Sequence, residues 1–313
     1  MEKKGTERKG ERILGRKVIR RIIVFFAILL FMALFCLADI KSHGKKGELQ
    51  ITMLDVGQGD GIYMKTPQGR HFFIDGGSSD ISNVGTYRIE PYLESQGVAE
   101  LDYVFVSHGD SDHICGIEEM LANQEFGIRI NTIVLPNEDV IDEELYALAE
   151  LASENKTKVV VMEAGDIIIE EISSDKQMKL TCIAPTDTFD GEVGNASSMV
   201  LDLQYGEFDM LFTGDLEKEG ETAVIESGEL RDYDVLKVGH HGSKYATSEA
   251  FLEQVKPEIA LISAGKDNSY GHPALETIER LENVGCKVYS TQQCGAITIR
   301  TDGEKIEMDG FVF

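Results

Sequence analysis

At 313 residues the chain can hold one large domain or two, and 42% hydrophobic residues are enough for a full core. The formal net charge of −25 is unevenly divided: residues 1–49 carry twelve Lys/Arg and five Asp/Glu, +7, which leaves 18 basic and 50 acidic residues, −32, in 50–313. So acidic a body repels polyanions and excludes tight, non-specific nucleic-acid binding through a basic face. Five scattered Cys (Cys36, Cys115, Cys182, Cys286, Cys294) with no CxxC pair exclude a disulfide framework and a zinc ribbon.

Residues 1–21 form a basic tail with nine Lys/Arg. Residues 22–38 are seventeen residues without a charge, the short end of a membrane-spanning helix. The basic bias ahead of this run predicts a single-pass anchor with a cytoplasmic N-terminus and an extracytoplasmic body. A cleaved signal peptide is the competing reading. The long basic lead and the poor small-x-small site at Cys36-Leu37-Ala38 count against it. Residues 39–48, with Gly44 and Gly47, read as a linker, and 49–313 as one domain.

From Leu49 the pattern turns to short strands and turns. Apolar runs predict strands at 50–56, 62–66, 71–75, 101–107, 131–135, 158–162, 178–184, 199–205, 208–213, 234–238, 259–263, 287–290 and 296–300. Helical patterns fall at 88–96, 115–124, 142–154, 217–227, 247–256 and 274–284. Strands first, then mixed β and α, predict an α/β (α+β) sandwich with helices outside.

The chemistry concentrates in Ser107-His108-Gly109-Asp110-Ser111-Asp112-His113, directly after the apolar run Tyr103–Val106. Four metal-capable side chains at a sheet rim cannot all point into a core, because buried carboxylates need partners. A cation is the economical one, and imidazole with carboxylate suits zinc, manganese or iron. A solvated turn that happens to hold two His is the competing reading. Matching groups end other strands, Asp75-Gly76-Gly77, Thr213-Gly214-Asp215 and Lys237-Val238-Gly239-His240-His241-Gly242-Ser243, and Asn195-Ala196-Ser197-Ser198 opens one. Four of the seven His lie in these patches, and His272 in Tyr270-Gly271-His272-Pro273 is a candidate fifth.

Taken together, these motifs resemble the metallo-β-lactamase fold superfamily. They are similar to the catalytic domain of ComEC-type DNA-uptake (competence) proteins, a likeness that also takes in Leu54-Asp55-Val56-Gly57-Gln58-Gly59-Asp60 and Pro91-Tyr92-Leu93. It covers roughly residues 50–300. It implies a four-layer αββα sandwich and two divalent ions, Zn2+ or Mn2+. On that pattern His108 and Asp110 hold one ion and Asp112 and His113 serve the second. Asp215 bridges the two, His241 supplies a further ligand, and His240 is kept as its neighbour. Asp75 orients the His-Asp loop. Two departures add oxygen character: Asn195 stands where many members place a further metal His, and Asp110 replaces the commoner His. They imply a first ion held more weakly, completed by water, with manganese as plausible as zinc. Cys115 stands where relatives usually show Gly, and reads as a small packed residue.

The resemblance implies hydrolysis by a metal-activated water, and two ions about 3.5–4 Å apart suit in-line displacement at a phosphodiester. Ser243, Lys244, His272 and the amides after Gly242 are candidates to hold the leaving group or a non-bridging oxygen, and Asp112 to shuttle a proton. Three functions compete. The first is an envelope-anchored phosphodiesterase or nuclease acting on loosely held single-stranded DNA. The second is a hydrolase of a small or wall-linked substrate, such as a phosphorylcholine-type ester or a lactone, which the acidic body favours. The third is a metal-binding accessory protein without turnover. One hydrophobic segment cannot form a DNA channel, so this is not a complete uptake protein.

Overall fold

A computed structural model describes residues 24–32, 47–174 and 176–310. The chain divides into two compact units, Met1–Lys45 and Lys46–Phe313. In the first, residues 24–32 form a helix, α1, with every side chain exposed. The basic tail and the remainder of the expected anchor and linker lie outside the described residues, apart from Gly47 and Glu48. Among the described residues no helix is long and apolar enough to cross a membrane.

The second unit opens with β1 (Leu49–Met53), β2 (Ile62–Lys65), β3 (His71–Ile74), α2 (Glu90–Ser95), β4 (Glu100–Leu101) and β5 (Tyr103–Phe105). It continues through α3 (Ser111–Asn123), β6 (Arg129–Ile130), β7 (Thr132–Leu135), α4 (Glu143–Glu154), β8 (Lys158–Val161), β9 (Ile167–Ser173), β10 (Lys176–Ala184), β11 (Val200–Tyr205) and β12 (Phe208–Phe212). It ends with α5 (Glu219–Ser227), β13 (Val235–Lys237), α6 (Glu249–Val255), β14 (Ile259–Ile262), α7 (Leu275–Asn283), β15 (Lys287–Ser290), α8 (Thr291–Cys294), β16 (Ile297–Thr301) and β17 (Ile306–Gly310). An eight-stranded sheet runs β17-β16-β1-β2-β3-β5-β7-β8 and a seven-stranded sheet β15-β14-β13-β12-β11-β10-β9, with β4 and β6 as a separate pair.

Period-2 alternation along the strands sorts the side chains into three cores. Phe72, Phe105 and Val134 of the larger sheet meet Leu180, Leu203, Met210 and Val235 of the smaller one, so the central core lies between the sheets. Their neighbours Phe73, Val104 and Ile133 face outward onto Ile117, Leu121 and Leu148 of α3 and α4. On the other side Leu211, Leu236 and Ala260 pack on Val224, Phe251, Leu252 and Leu281 of α5, α6 and α7. These layers make the expected αββα sandwich.

Parallel pairing positions the site. β3 lies parallel to β5 with Ile74 opposite Phe105. β12, β13 and β14 are parallel with Phe212, Lys237 and Leu261 in register. The loops that follow these strands therefore leave their sheets at the carboxyl ends, where open α/β sheets gather functional side chains. Two details differ from the sequence-based expectation. The helix expected at 115–124 begins at Ser111, with Asp110 in extended conformation ahead of it, so Asp112 and His113 sit in its first turn. The edge strands β9 and β17 were not expected. Both are half-exposed: in β9 the short run Ile167, Ile168 and Ile169 is cut off by Glu170 and Glu171, and β17 carries Glu307 and Asp309.

Candidate metal centre

Asp75 ends β3 with a left-handed backbone at φ 54°. Its carboxylate accepts from Ser107 N at 2.7 Å and Ser107 Oγ at 2.8 Å, and lies 3.0 Å from His113 Nδ1. Because the Ser107 hydroxyl proton goes to Asp75, Ser107 Oγ is an acceptor for His108 Nδ1, 3.0 Å away. Both rings are thereby turned so that Nε2 carries the free lone pair. The backbone clamps the same region: Asp60 N donates to Asp112 O at 3.1 Å and Gly76 N to His113 O at 2.6 Å. Gly59 and Gly77 permit this approach, since a Cβ on Gly77 would stand 2.5 Å from His113 N.

Asp215 follows β12, and its amide donates to Ser198 Oγ at 3.1 Å. Its Oδ1 lies 3.2 Å from His113 Nε2 and its Oδ2 3.4 Å from His241 Nε2. His241 is fixed by Nδ1 against Ser263 O at 3.0 Å, and its Nε2 stands 3.5 Å from Asp112 Oδ2. His240 Nδ1 lies 3.0 Å from Glu217 Oε2, and His240 Nε2 is 3.8 Å from Asp215 Oδ2. Asp110 Oδ2 is 3.6 Å from His108 Nε2.

This arrangement fits cations. His108 Nε2, His113 Nε2, His241 Nε2 and Asp215 Oδ1 are buried without a hydrogen-bond partner. With Nδ1–H of His113 directed to Asp75, its Nε2 lone pair faces a carboxylate oxygen at 3.2 Å, which is repulsive unless a proton or a cation lies between them. Ligand atoms of His108, His113 and Asp215 lie within 4.8 Å of one another, as do those of Asp112, His113 and His241. Without an ion, protons take its place. Burial lowers the His113 pKa, but Asp215 and Asp75 outweigh it and raise it well above the ordinary value. Against the same burial, Asp215, Asp112 and Asp60 bring His241 to about 9. Burial alone would raise the Asp215 pKa, yet His241, His113 and Lys237 hold it well below the carboxylate range.

The other candidates sit around this cluster. His272 faces His240 and His241 with ring centroids 5.3 and 6.4 Å away. Burial and those two imidazoles lower its pKa to about 4, so it is neutral. Asn195 opens a short 3-10 turn, Asn195–Ser197, and its Nδ2 lies 3.3 Å from His240 Nδ1. Ser243 and Lys244 are engaged in their own turn: Ser243 Oγ accepts from Tyr245 N at 3.3 Å, and Lys244 Nζ lies 4.9 Å from the Tyr245 ring centre. Cys115 is half-buried against Ser78 N, at 3.3 Å.

Sequence reasoning missed Asp60 and Lys237. Lys237 shares the inward face of β13 with Val235 and contacts the Asp60 carboxylate; it also donates to Gly214 O at 2.9 Å and lies 3.8 Å from Asp215 Oδ1. Asp60 Oδ1 is in turn 3.5 Å from His241 Nδ1. Burial would discharge Lys237, but Asp60 and Asp215 prevail and raise its pKa. Two signals were available: a lysine inside the apolar run Asp234–Val238, and an Asp in a turn with three Gly.

The two-sheet sandwich with imidazoles and carboxylates at the strand ends defines a metallo-β-lactamase-like hydrolase. The chain belongs to the metallo-β-lactamase superfamily, whose family pattern matches residues 54–178 and 192–266. Among its relatives are ComE operon protein 3 of Bacillus subtilis, 32% identical over 266 residues, and competence protein ComA of Neisseria gonorrhoeae, 30% identical over 254 residues. The matches take in 81% and 80% of this chain but only 33% and 32% of those proteins, so the chain spans about a third of their length. Among solved structures, Zn(2+)-bound PqqB from Methylobacterium extorquens shares 11% identity with a TM-score of 0.47, covering 77% of this chain and 97% of that one.

Proposed function

We propose that the chain is a two-metal phosphodiesterase of the nuclease type, anchored in the cell membrane by residues 22–38 with its catalytic domain, 49–313, outside the cytoplasm. The observation that carries the chemistry is the overlap of two ligand sets in one buried cluster, His108 with His113 and Asp215, and Asp112 with His113 and His241, the ligand atoms of each set within 4.8 Å of one another. His108, Asp110 and Asp215 would hold one ion, and Asp112, His113, His241 and Asp215 the other. Two divalent ions in such a site supply Lewis acidity to a phosphoryl oxygen and bring the pKa of water toward neutrality. Asp112, a fifth exposed at the mouth, would take up the proton of the attacking water at Oδ2. Neutral His272 would orient the leaving-group oxygen, with Ser243 and Lys244 beside it.

Support for an extended, base-bearing substrate comes from two exposed aromatic side chains near His240. Tyr245 lies under Lys218 and Lys244, with Nζ atoms 5.1 and 4.9 Å from the ring centre, and Lys218 is joined to Glu217 beside His240. Tyr270 stacks on His272 at 5.7 Å. Single-stranded nucleic acid is held by such rings and cations. The competence relatives support the same reading. The −32 charge of residues 50–313 favours the second reading, hydrolysis of a compact or wall-linked ester such as a phosphorylcholine ester.

The test uses the full chain loaded with Mn2+ or Zn2+ and offered single-stranded DNA, bis-p-nitrophenyl phosphate and p-nitrophenyl phosphorylcholine. DNA cleavage that is lost in Asp112→Ala supports the first reading, and turnover of the small esters alone supports the second. Metal binding without turnover of any substrate leaves the accessory role. For the anchor, protease added to intact cells should degrade the domain; protection would reverse the topology.

A further inference from the structure

Four imidazoles in the cluster are seated the same way. Nδ1 lies 3.0 Å from an acceptor in each: Ser107 Oγ for His108, Asp75 Oδ2 for His113, Ser263 O for His241 and Glu217 Oε2 for His240. An acceptor on Nδ1 places the proton there and leaves Nε2 as the lone pair, the arrangement of a metal-bound imidazole and the carboxylate or carbonyl behind it. The Nε2 atoms of His113, His241 and His240 all face Asp215, at 3.2, 3.4 and 3.8 Å.

The backbone supports the same conclusion. In extended chain, adjacent side chains point to opposite faces. His240 and His241 are adjacent, yet both turn toward Asp215, because both adopt left-handed backbone, at φ 46° and 52°. Two successive non-glycine residues in that region are unfavourable, and such strain is retained where the surroundings impose it for function. Here Gly214 O, which accepts from His240 N at 3.3 Å, and Ser263 O hold the turn. Asn195 does not take this place: its amide lies against the His240 ring, 3.3 and 3.4 Å from the two nitrogens.

We propose that His240 is itself a metal ligand, through Nε2, on the Oδ2 side of Asp215, with Glu217 as the carboxylate that orients it. This rests on the two-ion reading above. It places His240 beside His241 on the ion at Asp215 Oδ2 and replaces the expectation that His240 merely steadies His241.

Equilibrium dialysis of the full chain against Mn2+, with bound metal counted by mass spectrometry, separates the outcomes. Unaltered protein should hold two ions. His240→Ala should hold one at concentrations that saturate the unaltered protein, and His240→Ala/Asn195→His should regain the second. Glu217→Gln should keep both ions with a dissociation constant raised about 10–100-fold for one of them. In case His240→Ala misfolds, Co2+-loaded unaltered protein provides an independent count: four strongly shifted, exchangeable imidazole N–H resonances are expected. Two ions in His240→Ala at unchanged affinity, or three such resonances, overturn the assignment alone. Fewer than two ions in saturated unaltered protein overturn the two-ion reading and this assignment with it.

Discussion

Lys237 Nζ contacts the Asp60 carboxylate in the space between the two sheets, and both side chains are 1% exposed. Lysine and aspartate are almost never so buried unless paired. Here each answers the other's charge directly beneath the metal centre, where Asp75 and Asp215 already concentrate negative charge. Removing one partner of a buried pair costs up to about 3–5 kcal/mol, with His241 Nδ1, 3.5 Å from Asp60 Oδ1, left to offset part of it. Lys237→Met should therefore lower stability by about that amount in urea titrations with EDTA present, and adding Asp60→Asn should recover most of the loss. A Lys237→Met protein within about 1 kcal/mol of the parent would show that Asp60 is neutralised by another route.

That pair also marks how far the sequence was legible. The His-Asp motif at 108–113 could be read because its spacing is local and its residue types suit metals. Asp75, Asp215 and His241 could be read because each follows an apolar strand. Asp60 and Lys237 join only through the packing of two sheets: the three-Gly turn and the apolar run mark each residue singly, but nothing local pairs them. The early start of α3 was hidden for a related reason. Asp110, Ser111 and Asp112 read as loop, yet an acidic residue in a helix's first turn is favourable, and Asp112 occupies that place. Strands β9 and β17 were missed because edge strands expose one side and blur the apolar pattern.

Asp75 holds Ser107 and His113 together, accepting from Ser107 N and Oγ and facing His113 Nδ1 at 3.0 Å. Carboxylates behind a ligating imidazole typically contribute 10–100-fold in metal affinity. Asp75→Ala should weaken Mn2+ binding by about that factor in calorimetric titration. Replacing Asp55, an exposed residue of the same acidic type outside the cluster, should leave the affinity unchanged.

The metal-free protein should show an inverted pH dependence. His241 has a folded pKa raised to about 9 from an ordinary 6.5. Its contribution to stability is therefore fully present below pH 6.5 and is lost as pH rises through about 9. His113 shifts in the same direction and adds to the effect. In EDTA the melting temperature should fall between about pH 6.5 and 9. With saturating Mn2+ the ion takes the place of those protons, so the stabilisation it adds should grow over the same range. Parallel pH series of thermal melts with EDTA and with Mn2+ check both slopes; a metal-free protein that gains stability toward pH 9 would contradict the geometry around His241.

Tyr245 and Tyr270 are 56% and 61% exposed, so neither is needed to fill a core. If they carry nucleobases, each stacked base is worth about 1–3 kcal/mol, roughly 5–150-fold in affinity. Tyr245→Ala and Tyr270→Ala should then raise KM for single-stranded DNA by that order while leaving bis-p-nitrophenyl phosphate turnover unchanged, because the small diester reaches only the ions and their immediate neighbours. Equal losses on both substrates would place the two rings in the catalytic cluster itself. No loss on either would remove the aromatic support for a base-bearing strand and shift the balance toward a compact ester.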